Sequence, residues 1–295
     1  MLRNLCFDVG GMSTKVALFE NCEIIKRDKI EYGKLINSME LLEKIIFYIE
    51  NFIDLKSLNN ISIASPGVVD VNSGWITGLS AIADNDKINM KKELQKKFNK
   101  KVFIENDAKC AALAEINVGN GKKYQNLFLF VIGTGIGGAV IINKKIYKGS
   151  KLAAGEFGCV LEKLDKNEFH NGSHYGGMYN LEYKYKNISG KAKSGKEIYN
   201  LYAKDELCKN LINEQIFQIA KLIINTNFVL DADAVLVGGA ISANDLFIDL
   251  LNKKLTELYF LSGMQKNIVL DRCKFTNDAN IIGANQLEVA IDKVS

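Results

Sequence analysis

Leu127-Phe128-Leu129-Phe130-Val131-Ile132-Gly133-Thr134-Gly135-Ile136-Gly137-Gly138-Ala139-Val140-Ile141-Ile142 is an apolar run of strand length that enters a glycine turn and leaves it as a second, β-branched run. Glycine tolerates positive φ and lets another group press against bare backbone, so such a turn can offer N–H groups to a phosphate. In a dinucleotide fold the spaced glycines open a helix. Here the pair Asn143-Lys144 follows, and then Lys145-Ile146-Tyr147. Strand, turn, strand, turn, strand rules the dinucleotide reading out. Taken alone, a plain hairpin with glycines for geometry explains it.

The plan occurs twice. Leu5-Cys6-Phe7-Asp8-Val9-Gly10-Gly11-Met12-Ser13-Thr14-Lys15-Val16-Ala17-Leu18-Phe19 repeats it, with turn residues Glu20-Asn21 and a further apolar pair Ile24-Ile25 beyond. Two such hairpins, each opening about half of the chain, predict two related domains facing each other across a cleft. A third glycine pair, Gly238-Gly239, ends the apolar run Ala234-Val235-Leu236-Val237. Three backbone turns at strand ends suit a polyphosphate.

Composition bounds the remaining classes. At 295 residues the chain has room for two cores. It is 47% hydrophobic and 24% charged, ordinary globular values. The net charge of +4 is spread out, without the basic block that would favour nucleic acid as a partner. No apolar run reaches membrane-spanning length, and Met1-Leu2-Arg3-Asn4 leads directly into a strand, so the expectation is a cytoplasmic protein without a signal peptide or membrane partner. Cys6, Cys22, Cys110, Cys159, Cys208 and Cys273 are scattered; Cys6 and Cys110 read as small core residues of a reduced protein.

Along the chain, Asn37 and Glu40 form a capping-box pattern before an amphipathic helix near 38–53. Ile61-Ser62-Ile63-Ala64 is a short strand that ends at Ser65-Pro66-Gly67, a fixed turn around the chain's one proline. Residues 71–87 read as irregular, and Met90–Phe98 as a helix. Lys101-Val102-Phe103-Ile104-Glu105 is a strand, and Asn106-Asp107-Ala108 turns it into a helix over Ala108–Ile116. Asn106 or Asp107 would cap that helix, the plainer explanation of the pair. The sharper one is that an Asp107 carboxylate at a strand end takes a proton from a hydroxyl group attacking phosphate. Gly119-Asn120-Gly121-Lys122-Lys123 marks the domain boundary. Lys163–Lys186 reads as a polar loop excursion carrying His170 and His174, and these two with one cysteine do not make a four-ligand zinc site. Helices are predicted near Ser194–Ala203, Asn213–Leu230 and Asn244–Leu258, a strand at Ile268-Val269-Leu270, and a last helix over Ala279–Val294.

Taken together, these residues resemble the repressor–ORF–kinase (ROK) family of bacterial sugar kinases and sugar-responsive regulators. Asp8-Val9-Gly10-Gly11 matches its first phosphate motif, Glu105-Asn106-Asp107-Ala108 its catalytic motif, and Gly133-Thr134-Gly135-Ile136-Gly137-Gly138 its second phosphate loop. Gly155-Glu156-Phe157-Gly158 matches its sugar motif and Gly238-Gly239 its nucleotide turn. The motifs stand in family order over essentially the whole chain. The resemblance implies an α/β protein of two actin-like (ribonuclease H-like) domains around a cleft, the sugar kinase/Hsp70/actin-type fold. Residues 1–118 would form the first, with the helix 279–295 packing back on it, and 119–278 the second. It implies ATP and magnesium as cofactors, and a homodimer. Asp107 would be the general base for a sugar 6-hydroxyl, with Asn106, Gly67, Ser80, Glu156 and Glu182 on the sugar and Cys159 at its C2 side. Asp8 would sit near magnesium, with Gly10, Gly11, Ser13, Thr14, Lys15, Gly133, Thr134, Gly135, Gly238 and Gly239 around the nucleotide.

The departures from the family pattern are as informative. Met12 stands where a threonine is usual, with Ser13 able to compensate, and Lys109 stands where asparagine is frequent. The four positions of the family's zinc site read Cys159, Ser173, Tyr175 and Asn180, so no structural zinc is expected. The loop between Glu156 and Glu182 would then be held by packing of Phe169, Tyr175 and Tyr179, or by a dimer partner. The family's regulators carry an N-terminal helix-turn-helix domain, for which no room precedes residue 5. The expected activity is ATP-dependent phosphorylation of a hexose 6-hydroxyl. N-acetylmannosamine is favoured, because Cys159 is smaller than the family's histidine. Glucose and β-glucosides are the alternatives, and a non-catalytic sugar sensor is the reading from a different class.

Overall fold

The computed structural model of the chain describes residues 2–78, 80–165 and 168–292. The chain opens with β1 (Arg3–Val9), β2 (Ser13–Glu20), β3 (Glu23–Glu31) and α1 (Ser38–Phe52). It continues through β4 (Asn60–Ser65), the short pair β5 (Val68–Val69) and β6 (Ile76–Thr77), α2 (Met90–Phe98), β7 (Lys101–Asn106) and α3 (Asp107–Val118). The second hairpin is β8 (Leu127–Ile132), β9 (Ile136–Ile142) and β10 (Lys145–Tyr147). Next come β11 (Leu161–Asp165), β12 (Glu168–Asn171), α4 (Gly172–Gly176), α5 (Met178–Ser189), α6 (Gly195–Asn200) and α7 (Glu206–Leu230). The chain closes with β13 (Ala234–Gly238), α8 (Asp245–Leu261), β14 (Val269–Arg272), α9 (Ala279–Ala284) and α10 (Leu287–Asp292).

Two compact units result. One gathers the described residues up to Asn117, the short piece Ser150–Ala153 and the described residues from Asp278 onward; the other is Val118–Gly149 with Ala154–Asn277. Each is built on a five-stranded sheet, ordered β3-β2-β1-β4-β7 in the first and β10-β9-β8-β13-β14 in the second. The two orders are the same plan, three antiparallel strands followed by two parallel ones. The apolar run of β8 explains its place at the middle of its sheet. Its neighbours and covering helices bury Leu127, Phe128, Leu129 and Phe130 to 1% exposure or less, as strands covered on both faces require. Each unit has its own core, the first around Phe7, Ile45, Ile61 and Ile104, the second around Phe128, Ile212, Ile219 and Val235.

Local rules set the helix starts. Asn37 accepts the Glu40 N–H at 2.9 Å and starts α1. The 25-residue α7 starts at Asp205, which accepts the Cys208 N–H. It buries the stripe Ile212, Ile216, Ile219 and Ile223. Cys6 and Cys110 are buried, as their apolar neighbours suggest, and burial pushes both thiols well up.

Two expectations are corrected. The described residues of 163–186 form regular structure, the strands β11 and β12 and the helices α4 and α5. Phe169 and Tyr179, 59% and 61% exposed, do not hold it. Tyr175, the third of the expected rings, meets His174 and His170 in a ring cluster, with His170 and His174 centroids 4.5 Å apart. Gln215 of α7 donates to Gly176 O at 2.9 Å. Polar composition hid the two helices: α4 packs through glycines, where a Cβ on Gly176 would lie 2.5 Å from Ile136 Cδ1, and the only apolar side chains that α5 buries are Leu181 and Tyr185. The expected last helix is two, α9 and α10, interrupted at Asn285-Gln286; positions 293–295 of that expectation lie outside the described residues. No helix among the described residues is long and apolar enough to cross a membrane.

Candidate active site

In the first unit, register puts Asp8 beside Ala64 and Ala64 beside Glu105 on three neighbouring parallel strands. The Gly10–Ser13 turn, the Ser65-Pro66-Gly67 turn and Asn106-Asp107 therefore leave the sheet at one end. The Gly10 N–H donates to Ser13 O at 3.0 Å, closing the hairpin. A Cβ on Gly10 would lie 3.1 Å from that oxygen, so close backbone approach is what favours glycine there. Of Gly10, Gly11, Gly133, Gly135, Gly238 and Gly239, Gly239 alone uses positive φ, at 85°. Met12 projects from the turn, 53% exposed.

Asp8 is nearly buried. Its Oδ2 meets Lys15 Nζ at 3.2 Å, its partner across the β1–β2 ladder, and its Oδ1 accepts from Asn280 Nδ2 at 3.0 Å. The Thr14 side chain is turned inward, and its hydroxyl shares a 2.7 Å hydrogen bond with Tyr32, whose own hydroxyl donates to Gly10 O at 2.8 Å. Thr14 thus supports the turn from below, through Tyr32.

The other end of this group is one hydrogen-bonded network. Asn106 Oδ1 accepts the Lys109 N–H at 3.1 Å, and its Nδ2 donates to Gly67 O at 2.9 Å and Asp107 Oδ1 at 3.0 Å. Asn106 is therefore the cap of α3, and Asp107 is its first helical residue, with Oδ1 also accepting the Ala108 N–H at 2.7 Å. Gly67 has φ 107°, and a Cβ there would lie 2.7 Å from Ile76. Asn85, buried, ties the turn to Ser80, donating to Pro66 O at 3.2 Å and to Ser80 Oγ at 2.9 Å.

In the second unit, β8 and β13 run parallel with Val131 beside Gly238, so Gly133-Thr134-Gly135 and Gly239 leave that sheet at one end. The loop rests on the start of α5. Met178 and Tyr179 N–H donate to Gly133 O and Thr134 O at 2.8 and 3.2 Å, and a Cβ on Gly177 would collide with Thr134 O. Nothing lies within 4 Å of where a Cβ on Gly133 would be. Gly155 and Gly158 press their segment onto β9, leaving Glu156 half-buried and Cys159 exposed. Partial burial and then Glu156 push the Cys159 thiol up. Glu182, on α5, accepts the Gly195 N–H through Oε1 at 2.7 Å, at the start of α6. It lines one hollow with Tyr179, Tyr183 and Lys193, while Thr134 and Gly135 line another with Ser173 and Asn180. Of the four former zinc positions, Cys159 is exposed, Ser173 bonds Ile136 N–H at 2.9 Å, Tyr175 joins the ring cluster and Asn180 is buried. In that cluster partial desolvation, His170 and Lys184 together hold His174 below its usual pKa.

Tyr32, Asn85 and Asn280 are supports that sequence reasoning missed. No spacing announces them, because each is a lone polar residue far along the chain from the group it holds.

Comparison with known proteins agrees with this geometry. The chain is 30% identical over 289 residues to a β-glucoside kinase of Listeria innocua, covering 94% of each. It is 25% identical to an N-acetylmannosamine kinase of Haemophilus influenzae, covering 96% of this chain and 94% of that one. The structure of a ROK family protein from Streptococcus pneumoniae in complex with sucrose superposes with a TM-score of 0.88 at 26% identity, covering all of both chains. The family model of the ROK family matches residues 4–290. With both sheets, both glycine turns and this match in agreement, the chain belongs to the ROK family.

Proposed function

We propose that this ATP-dependent sugar kinase phosphorylates the 6-hydroxyl of a β-glucoside. The observation that carries the catalytic part is the division of labour at α3. Asn106 supplies the cap, so Asp107 is not needed for it, and its carboxylate is oriented by Asn106 Nδ2 and the Ala108 N–H. Asp107 takes the proton of the sugar 6-hydroxyl as that oxygen bonds to the terminal phosphorus of ATP, and the bond from this phosphorus to ADP breaks. Gly67 and Ser80, pinned by Asn106 and Asn85, and Glu156 and Glu182 take the sugar hydroxyls. Gly10, Gly11, Ser13, Lys15, Gly133, Thr134, Gly135, Gly238 and Gly239 take the nucleotide, with Thr14 supporting.

A magnesium ion fits Asp8. Its carboxylate, held between Lys15 Nζ and Asn280 Nδ2, offers a single acidic group, and magnesium takes one or two carboxylates with phosphate oxygens and water. Bound there with ATP, it would neutralise phosphate charge.

The substrate rests on resemblance and on space. The β-glucoside kinase is more similar to this chain than the N-acetylmannosamine kinase, 30% against 25%. Cys159 leaves the place of a histidine ring open, which accommodates an aglycone at C1. The same opening would admit an N-acetyl group at C2, which keeps N-acetylmannosamine as the second reading. A coupled ADP-release assay over an aryl β-glucoside, cellobiose, glucose, N-acetylmannosamine and N-acetylglucosamine decides. The β-glucosides should give the highest kcat/KM, a preference for N-acetylmannosamine would install the second reading, and no turnover of any sugar would sink the kinase.

A further inference from the structure

We infer that Ser173 is a positioning residue that holds the nucleotide loop and the sugar motif of the second unit in register. The inference rests on the kinase reading above. Ser173 is the second residue of α4, and its Oγ accepts the N–H of Ile136 at 2.9 Å, with Ile136 O 3.5 Å away. Ile136 opens β9 directly after Gly133-Thr134-Gly135, so this hydrogen bond fixes where the loop ends.

The same oxygen reaches two other segments. A Cβ on Gly135 would lie 2.9 Å from it, and one on Gly158 would collide with it. Gly158 follows Glu156 by two positions, and the backbone between them is tight, with Cys159 N–H on Glu156 O at 3.0 Å. From the far side Gly172 is packed against Phe157 O, 2.6 Å from where its Cβ would be, and its N–H donates to Val160 O at 2.9 Å. One hydroxyl therefore sits where the phosphate loop, the segment of Glu156 and the start of α4 converge. The glycines around it are the space it occupies.

The physical consequence follows from this crowding. Ile136 is 7% exposed, so loss of the hydroxyl strands its N–H away from water, and the backbone must move to recover a partner. Any such movement displaces Gly135 on one side and Gly158 on the other. Both substrates should feel it.

The test uses the full chain with Ser173→Ala, Mg-ATP, and whichever sugar of the assay above the wild type phosphorylates. The KM for ATP and the KM for the sugar should both rise about three- to tenfold, the range of one neutral hydrogen bond. A merely structural serine would lower the melting temperature and the active fraction while leaving both KM values unchanged; that result overturns the proposal. A rise in one KM alone overturns it too, because the residue would then serve one loop. If Ser173→Ala does not fold, Ser173→Cys, which keeps a side chain there but weakens the acceptor, is read in the same way. Wild-type protein that turns over no sugar refutes the kinase reading instead, so the two failures are separable.

Discussion

Asn106 and Asp107 show what a side chain's partners add to a motif. Both residue types cap helices, and spacing alone left the cap open between them. The structure gives it to Asn106, whose Oδ1 meets the N–H three residues on. Substitutions should separate the two jobs. Asp107→Asn should cut kcat about 10²–10⁴-fold with a nearly unchanged melting temperature, whereas Asn106→Ala should remove a cap of about 1 kcal/mol, lowering the melting temperature by about 2–4 °C. Steady-state kinetics and thermal melts of both variants check this; an Asp107→Asn enzyme of normal kcat would remove Asp107 as the base. Glu182 needs a finer cut, because its Oε1 also holds the Gly195 N–H. Glutamine can keep that acceptor, so Glu182→Gln should fold normally while raising the sugar KM about tenfold or more, through loss of a charged hydrogen bond. An equal rise in the ATP KM would make Glu182 a support of α6. Glu182 was reached through the family resemblance, whereas Asn106 and Asp107 were legible as chemistry-bearing types where a strand ends and a helix begins. Tyr32, Asn85 and Asn280 were not, since a single polar residue carries no spacing.

The glycine turns were legible at the level of the hairpin, and the reason for each glycine was not. Sequence offers positive φ or close approach as explanations, and only coordinates distinguish them. Gly239 needs both, with φ 85° and a Cβ position that would collide with Ile132 O. Gly133 needs neither, since the space around its Cβ position is open. Gly239→Ala should therefore cost at least about 1–3 kcal/mol of stability. Gly133→Ala should fold and melt like the wild type yet raise the KM for ATP, because the space a methyl group fills is then the nucleotide's. Melting curves and ATP titrations of the two variants test the contrast, and a Gly133→Ala protein with unchanged ATP KM would remove this loop from nucleotide binding. The helices of 172–189 were hard to read for a related reason. α4 makes its contacts through glycines and a ring cluster, and the only apolar side chains that α5 buries are Leu181 and Tyr185, with Met178 partly buried.

Across the whole chain, the doubled strand order is what the paired hairpins announced, since the apolar runs and turns that build each sheet are local in sequence. What closes each unit is not local. The former zinc positions are replaced by a hydrogen bond, a ring cluster and a buried amide, so purified protein should hold no stoichiometric zinc, and a strong chelator should leave its melting temperature unchanged. Elemental analysis finding one zinc per chain would refute this. The contact between Asn280 and Asp8 joins positions 272 residues apart, and α9 lies so close to α3 that a Cβ on Gly283 would collide with Cys110 O. On a ribosome, α9 emerges after every strand of both sheets. Strands β8 to β14 are all exposed before it, so the unit begun second can finish first. The sheet made first waits with its Asp8 end unsealed until α9 follows. A released chain truncated just short of Ala279 should therefore have a later half that resists protease while its earlier half is still cut.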